Sequence, residues 1–355
     1  MTELQERWDR LAYWIGPYLG AEGPVTITDA GDPDGMGYSA ETLIFTANVP
    51  RAEGDVTRRL VLRAETPDPA VYPAQVEGID VEIAIQYRVM STLAKRSSIP
   101  VAKIVATDLT DEAIGTPFFV MDFVDGVVPE VDPPYPAAGF FADAAPEDRR
   151  RLIAAGVRML AEVHGVDWRA AGLDWLLPPG TAPTLRRQLD LWSAYARTEL
   201  RDRVHPDMVR ALAILEAHLD EPSEPTLCWG DPRPGNIIWQ DFEAASVTDW
   251  EAAAIAPAEL DLGWWLMFDR SCHEVGGIER LDGEPTREEQ RDLYAEAVGR
   301  DVGDTALYEL LAAYRYSAIV VRIMNRWVER GVFPADHTIW LENPAATCLH
   351  QLLES

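Results

Sequence analysis

Cys228-Trp229-Gly230-Asp231-Pro232-Arg233-Pro234-Gly235-Asn236-Ile237 is the stretch that decides how the rest of the chain is read, together with Val247-Thr248-Asp249-Trp250-Glu251 beyond it. Asp231 stands five residues before Asn236, and Asp249 follows thirteen residues after that. Ile237–Trp239 and Ser246–Thr248 read as two short strands turning at Gln240–Ala245, which brings Asp249 back beside Asn236. Two hard oxygen ligands then converge on one position. Magnesium takes such a small protein set when phosphate oxygens complete its shell. Asp231, earlier on the same loop, is placed to take the proton of an attacking hydroxyl. Arg233, two residues on, can aim a cation at a transferring phosphoryl group. Phosphoryl transfer needs these parts and few others. A hairpin that merely holds acids in water has no reason to carry three such positions at these spacings.

Outward from this stretch the chain changes character on either side. Leu4, Trp8, Leu11, Ile15 and Leu19 recur at helical spacing. Thr42–Val49 and Arg59–Glu65 read as strands around a polar turn at Glu53-Gly54-Asp55. Residues 79–94 return to helical periodicity, and Ile99–Val105 and Phe118–Phe123 read as further strands. This order describes a small α+β unit ending near Gly126. Val127–Pro146 is proline-rich and irregular, a connector. Beyond it the pattern is helical at 147–164, 185–203, 206–219, 258–269, 287–298, 304–330 and 338–353. Only Thr226–Trp250 breaks that pattern with strand-like runs. No internal repeat is visible.

The chain has 355 residues, enough for two packed units. Hydrophobic residues make up 47% and charged residues 25%, a globular balance that excludes disordered, collagen-like and coiled-coil proteins. No apolar run approaches the ~20 residues of a membrane helix, and the acidic, amphipathic start is unlike a signal peptide. The three cysteines, Cys228, Cys272 and Cys348, are scattered and unpaired by spacing, so a disulfide framework is not expected and a reducing cytoplasm is. With 31 basic and 59 acidic residues the net charge is −28. Such a field repels nucleic acid and anionic lipid and leans toward a cationic small substrate, although solubility alone accounts for it.

On the 228–237 and 247–251 motifs, the chain resembles the aminoglycoside phosphotransferase family of protein-kinase-like small-molecule kinases. Its signature is H-G-D-x-x-x-x-N followed by an Asp-containing metal motif. The chain is similar in particular to the branch found fused to, or encoded beside, acyl-CoA dehydrogenases. The resemblance runs from the glycine loop at residue 31 to the late helices. It implies a bilobal protein-kinase-like α+β fold, with a small antiparallel N-lobe over 1–126 and a larger helical C-lobe over 127–355. It also implies transfer of the γ-phosphoryl group of ATP, with Mg²⁺, to a hydroxyl of a small molecule. Aminoglycoside-like, choline-like, sugar and hydroxyacyl acceptors all stay open. One position departs: the family's His is Trp229 here.

The same resemblance assigns further residues. Gly31–Ala40 would lie over the triphosphate, with Ser39 placed to bond phosphate. A dinucleotide fingerprint at Gly35-x-Gly37-x-x-Ala40 would instead need a helix after it, whereas Thr42–Val49 reads as strand. Arg63 stands where a kinase carries its phosphate-pairing Lys, with Glu82 as its acidic partner and Gln86 as the competitor. Phe118–Gly126 resembles the hinge, with Met121 as gatekeeper, the Asp122 carbonyl accepting from adenine and the Val124 amide donating to it. Asp261 resembles a family Asp that braces the catalytic loop. His164, at a helix end, reads as a carbonyl cap or a core residue, and Trp264, Trp265 and Phe268 read as core; Asp269 and Glu274 are either candidates to face a cationic substrate or solvated surface acids. A nucleotide-binding protein without turnover is the second reading, motivated by Trp229 and Arg63.

Overall fold

Every second side chain from Leu43 to Val49 is buried, and the chain then doubles back on itself. The computed structural model describes residues 3–31, 40–68, 70–79, 82–130, 132–219 and 223–355. The chain forms two compact units, Met1–Ala70 with Gly78–Asp125, and Val71–Glu77 with Gly126–Ser355.

In the first unit, α1 (Glu3–Leu19) precedes β1 (Thr26–Gly31), β2 (Glu41–Val49) and β3 (Val56–Ala64), followed by α2 (Glu82–Arg96), β4 (Ile104–Asp108) and β5 (Phe118–Asp122). The strands make a five-stranded antiparallel sheet in the order β1-β2-β3-β5-β4. β2 and β3 pair without a slip from Glu41↔Ala64 to Val49↔Val56, and the strict alternation along β2 pins its buried face. Trp8, Leu11, Ile15 and Leu19 of α1 join Phe45, Leu60 and Phe118 in one apolar core. Two boundaries bear on the sequence reading. The strand expected from Ile99 starts at Ile104, since Pro100 denies that stretch a ladder donor. Ala40 leads into strand β2, not a helix, which removes the context a dinucleotide fingerprint needs.

The second unit holds α3 (Pro146–His164), α4 (Trp168–Ala171), α5 (Leu185–Leu200), α6 (Pro206–His218), β6 (Pro225–Cys228), β7 (Ile237–Gln240), β8 (Glu243–Val247), β9 (Ala254–Pro257), α7 (Glu259–Arg270), α8 (Arg287–Val298), α9 (Ala306–Glu329) and α10 (Pro344–Glu354). β7 and β8 form one hairpin, and β6 pairs with β9, a strand the sequence reading lacks. Ala254-Ile255-Ala256-Pro257 is buried along its whole length and so shows no alternation to read. α7 and α9 pack closely at Gly263, where a Cβ would lie 2.4 Å from the Tyr308 carbonyl oxygen. The last helix starts six residues later than its periodicity predicts, because Asn343 caps it and Pro344 opens it. Among the described residues no helix is long and apolar enough to cross a membrane.

Candidate active site

Gly230 sets the loop before Asp231. Its φ is +96°, and a Cβ there would lie 2.1 Å from the Ala252 carbonyl oxygen. Only glycine fits both the conformation and the space. The peptide is gripped from both sides. Asp261 Oδ2 accepts from the Trp229 amide at 2.6 Å and Oδ1 from the Gly230 amide at 3.0 Å. Arg315 Nη2 donates to the Gly230 carbonyl at 2.9 Å, and Nη1 to the Leu260 carbonyl at 3.2 Å. The guanidinium is buried, which lowers its proton affinity, and lies 4.9 and 4.5 Å from the Trp192 and Trp264 ring centres. Behind Asp261, His164 Nε2 lies 3.3 Å from Oδ2 while its Nδ1 meets the Tyr294 hydroxyl at 2.6 Å. Burial pushes the Tyr294 phenol well up, so it donates to Nδ1 and leaves Nε2–H for Asp261. His164 therefore belongs to the brace: of the two readings for a histidine at a helix end, it takes the core one and caps no carbonyl among the described residues.

Trp229 fills the family's His position with its ring fully buried, donating from Nε1 to the Thr248 carbonyl at 2.7 Å. That bond ties the Asp231 loop to the returning hairpin.

The Asp231 carboxylate gathers four donors. Trp264 Nε1 reaches Oδ1 at 2.7 Å, while Asn236 Nδ2, the Tyr72 hydroxyl and Arg233 Nε reach Oδ2 at 2.9, 3.1 and 3.3 Å. Trp264 and Tyr72 are partners of the candidate base that sequence reasoning misses. The helical spacing of Trp264 predicts only core, and the side chain is both buried and bonded. Tyr72 lies 159 residues before Asp231 and carries no local signal. Burial, then the charges of Asp231 and Glu251, raise its phenol well above the usual range, so it stays a donor. Burial works against the Arg233 cation, but Asp231, Tyr72 and Asp249 together raise it.

Asn236 turns its amide nitrogen to Asp231, which leaves Oδ1 without a partner among the described residues. The Thr248 amide and hydroxyl both donate to the Asn236 carbonyl at 2.9 Å. This hairpin return carries Asp249, in the left-handed region with φ +54°, to the residue next after that junction. The turn is tighter than the sequence predicts: only Asp241 and Phe242 lie between the strands, both with positive φ. Asp231, Arg233 and Asn236 are thus joined directly, and Asp249 through backbone and through its field on Arg233 and Tyr72. One unpartnered amide oxygen and one carboxylate make a hard donor set of the kind Mg²⁺ takes.

The remaining candidates lie in the first unit. Arg63 on β3 donates to Thr42 Oγ1 at 2.6 Å and to Gln86 Oε1 at 3.3 Å. Glu82 is buried in the first turn of α2, one turn before Gln86. Glu65 accepts from the Ile83 amide at 3.2 Å and so holds the start of that helix, its own carboxyl pushed up by burial. Met121 and Asp122 end β5, where Met121 pairs with Val61 and the Asp122 side chain is bound by Arg58. The Val124 amide has no partner among the described residues. Ser39 lies outside the described residues.

Asp269 and Glu274 do not wait for a cation, because arginines of the same unit already pair with both. Arg280 takes both Asp269 oxygens at 3.1 and 2.6 Å, and Arg270 and Arg287 meet Glu274.

Residues 49–306 match the model of the phosphotransferase enzyme family. Among curated proteins the chain is 26% identical over 279 residues to acyl-CoA dehydrogenase family member 10 of Mus musculus. That match covers 76% of this chain and 24% of the relative, so the chain spans about a quarter of the length of that protein. It agrees with the resemblance to the acyl-CoA dehydrogenase branch. Among solved structures, one assigned as an aminoglycoside phosphotransferase from Ralstonia eutropha JMP134 superposes with a TM-score of 0.70 at 24% identity, covering 97% of this chain and 96% of that one. The ADP-bound aminoglycoside phosphotransferase APH(2'')-Ib superposes with a TM-score of 0.53 at 12% identity, covering 98% and 96%. The fold is therefore the protein-kinase-like one expected from the motifs.

Proposed function

The chain belongs to the phosphotransferase enzyme family, and on that premise we propose that it moves the γ-phosphoryl group of ATP to a hydroxyl of a small molecule. Asp231 takes the hydroxyl proton as the O–H bond breaks. The acceptor oxygen bonds the γ-phosphorus, and the bond from phosphorus to the bridging oxygen of ADP breaks. Asn236 Oδ1 and the Asp249 carboxylate would hold Mg²⁺, which when bound neutralises charge on the phosphate oxygens. Arg233 balances charge on the transferring group. Arg63, steadied by Gln86 and with Glu82 on the same helix, would meet the other phosphates, with Ser39 in the glycine loop. Met121, the Asp122 carbonyl and the Val124 amide would take the adenine.

The observation that carries this reading is the junction at Asn236. One side chain bonds the proposed base at 2.9 Å through nitrogen and has its oxygen free toward a metal, while the backbone carbonyl of the same residue holds Thr248, the residue before Asp249. A coupled ADP-release screen over hydroxylated small molecules, with and without magnesium, tests it. Magnesium-dependent ADP release that rises with one acceptor class is expected. A rise in melting temperature with NAD and none with Mg-ATP would refute it.

A further inference from the structure

Beside the catalytic loop lies a cavity of about 260 Å³, walled chiefly by Tyr135, Arg233, Trp265, Phe268, Val275 and Tyr316. Phe268 and Tyr316 lie 5.0 Å apart, ring centre to ring centre, and stand 5.3 and 6.2 Å from Trp264, which bonds Asp231. The cavity is thus one side chain away from the proposed base. One wall, Ser271–Val275, is a π-helical turn continuing α7. Such turns collect at functional sites. The hydroxyls of Tyr135, Tyr316 and Ser271 have no hydrogen-bond partner among the described residues.

The buried charges of this cavity are already spent on the protein. Arg233 is held by Asp231. Asp269 accepts from Arg280 and from Gln290 Nε2 at 2.7 Å. Of its carboxylates only Glu130 is exposed to solvent. The net charge of −28 therefore does not describe this wall. A polycation entering it would lose hydration without finding the paired acids that burial of charge requires. The larger cavity of the same unit, about 560 Å³, is lined by Arg270 and Arg287, which already pair with Glu274 and Glu309, and offers no comparable opening beside the loop.

We propose that the 260 Å³ cavity holds the body of the acceptor, and that this acceptor is an alcohol on an uncharged, mainly hydrocarbon or aromatic frame. The word acceptor rests on the proposed function. At the ~30 Å³ that liquid water takes per molecule, the space suits about nine non-hydrogen atoms, a single ring or short chain. Rings on several sides cover the frame, while the Tyr135, Tyr316 and Ser271 hydroxyls orient its few polar atoms.

The test uses the full chain and saturation-transfer NMR with cyclohexylmethanol and 3-phenylpropan-1-ol as probes and kanamycin A as the polycation. Val275→Trp and Ser271→Phe each fill the cavity from the π-helical wall, and if one fails to fold the other decides. Both alcohols are expected to bind the wild type, and their affinity to fall at least about tenfold in each variant. Kanamycin is expected not to bind, and Mg-ATP titrations to be unchanged. Absence of alcohol binding, alcohol binding that the filled variants leave intact, or kanamycin binding that they remove would each overturn the proposal. Its failure is separable from failure of the proposed function. ATP consumed with kanamycin would sink the apolar acceptor and keep the phosphotransferase. Alcohols bound in the cavity of a protein that neither binds nor consumes Mg-ATP would do the reverse.

Discussion

At the scale of single residues, the informative side chains are those whose partners define one job. Arg63 faces Thr42 and Gln86 from near the end of β3, the central strand of its sheet, and is proposed to meet phosphate. Arg63→Ala should lower kcat/KM for ATP about 10- to 100-fold, the worth of one charge-assisted hydrogen bond at roughly 1.5–3 kcal/mol. Arg63→Lys should keep much of the activity, since a point charge also serves phosphate. Steady-state kinetics in ATP decide this, and wild-type behaviour of the alanine variant would remove Arg63 from the site. Tyr72 makes a different prediction. Its hydroxyl is one of three donors on Asp231 Oδ2. Tyr72→Phe should cost about 1–2 kcal/mol of stability, because a charged acceptor loses a half-buried donor. Turnover should stay within about tenfold of wild type, since the other donors still orient the carboxylate. Chemical denaturation and turnover measured on the same preparation would show both.

Elements place these residues, and their failures should be larger. A Cβ at Gly230 would press on the Ala252 backbone at a φ that side chains avoid. Gly230→Ala should cost ~3 kcal/mol or more and displace Asp231, lowering the urea midpoint and turnover together. The π-helical turn at Ser271–Val275 responds to pH instead. His273 Nδ1 faces the Ile278 carbonyl and Nε2 the Glu284 carboxylate, each at 2.9 Å, and both partners only accept. Burial alone would lower its proton affinity, but the Glu284 bond and charge, the Ile278 carbonyl and Asp269 outweigh that and raise it. Protonated His273 therefore contributes stability in full below the ordinary histidine range near ~6.5, and loses it as pH rises through the raised folded value. Melting temperature should fall over that alkaline limb in the wild type, and His273→Gln should flatten the fall. Persistence of the same limb in the variant would assign it elsewhere.

The same elements show what a sequence can carry. Asp231, Arg233 and Asn236 are legible because their chemistry is local: a few residues on one loop fix the spacing whatever packs around them. The β7–β8 hairpin is legible too, although its two-residue turn is not, since Asp241 and Phe242 both take positive φ and only the first is of a type that favours it. β9 is not, because a strand buried on both faces carries no period. Tyr72, the bond from Trp264 and the Asp269–Arg280 pair are not, because each depends on a partner brought near only by packing.

At the scale of the whole molecule, the net charge of −28 and the local chemistry point different ways. The buried acids beside the aromatic cavity, Asp231 and Asp269, are paired with arginines, so the charge sets how the protein behaves in solution more than what it admits. The claim everything else depends on is that Asp231 serves the acceptor while Asp249 serves the metal and nucleotide. Calorimetric Mg-ATP titration combined with steady-state turnover, on Asp231→Asn and Asp249→Ala, tests that division most directly. Asp231→Asn should bind Mg-ATP with near wild-type affinity while turnover falls about 10²–10⁴-fold, the usual cost of losing a general base. Asp249→Ala should lose affinity and turnover together. Normal turnover by Asp231→Asn, or small and similar effects from both substitutions, would contradict the account.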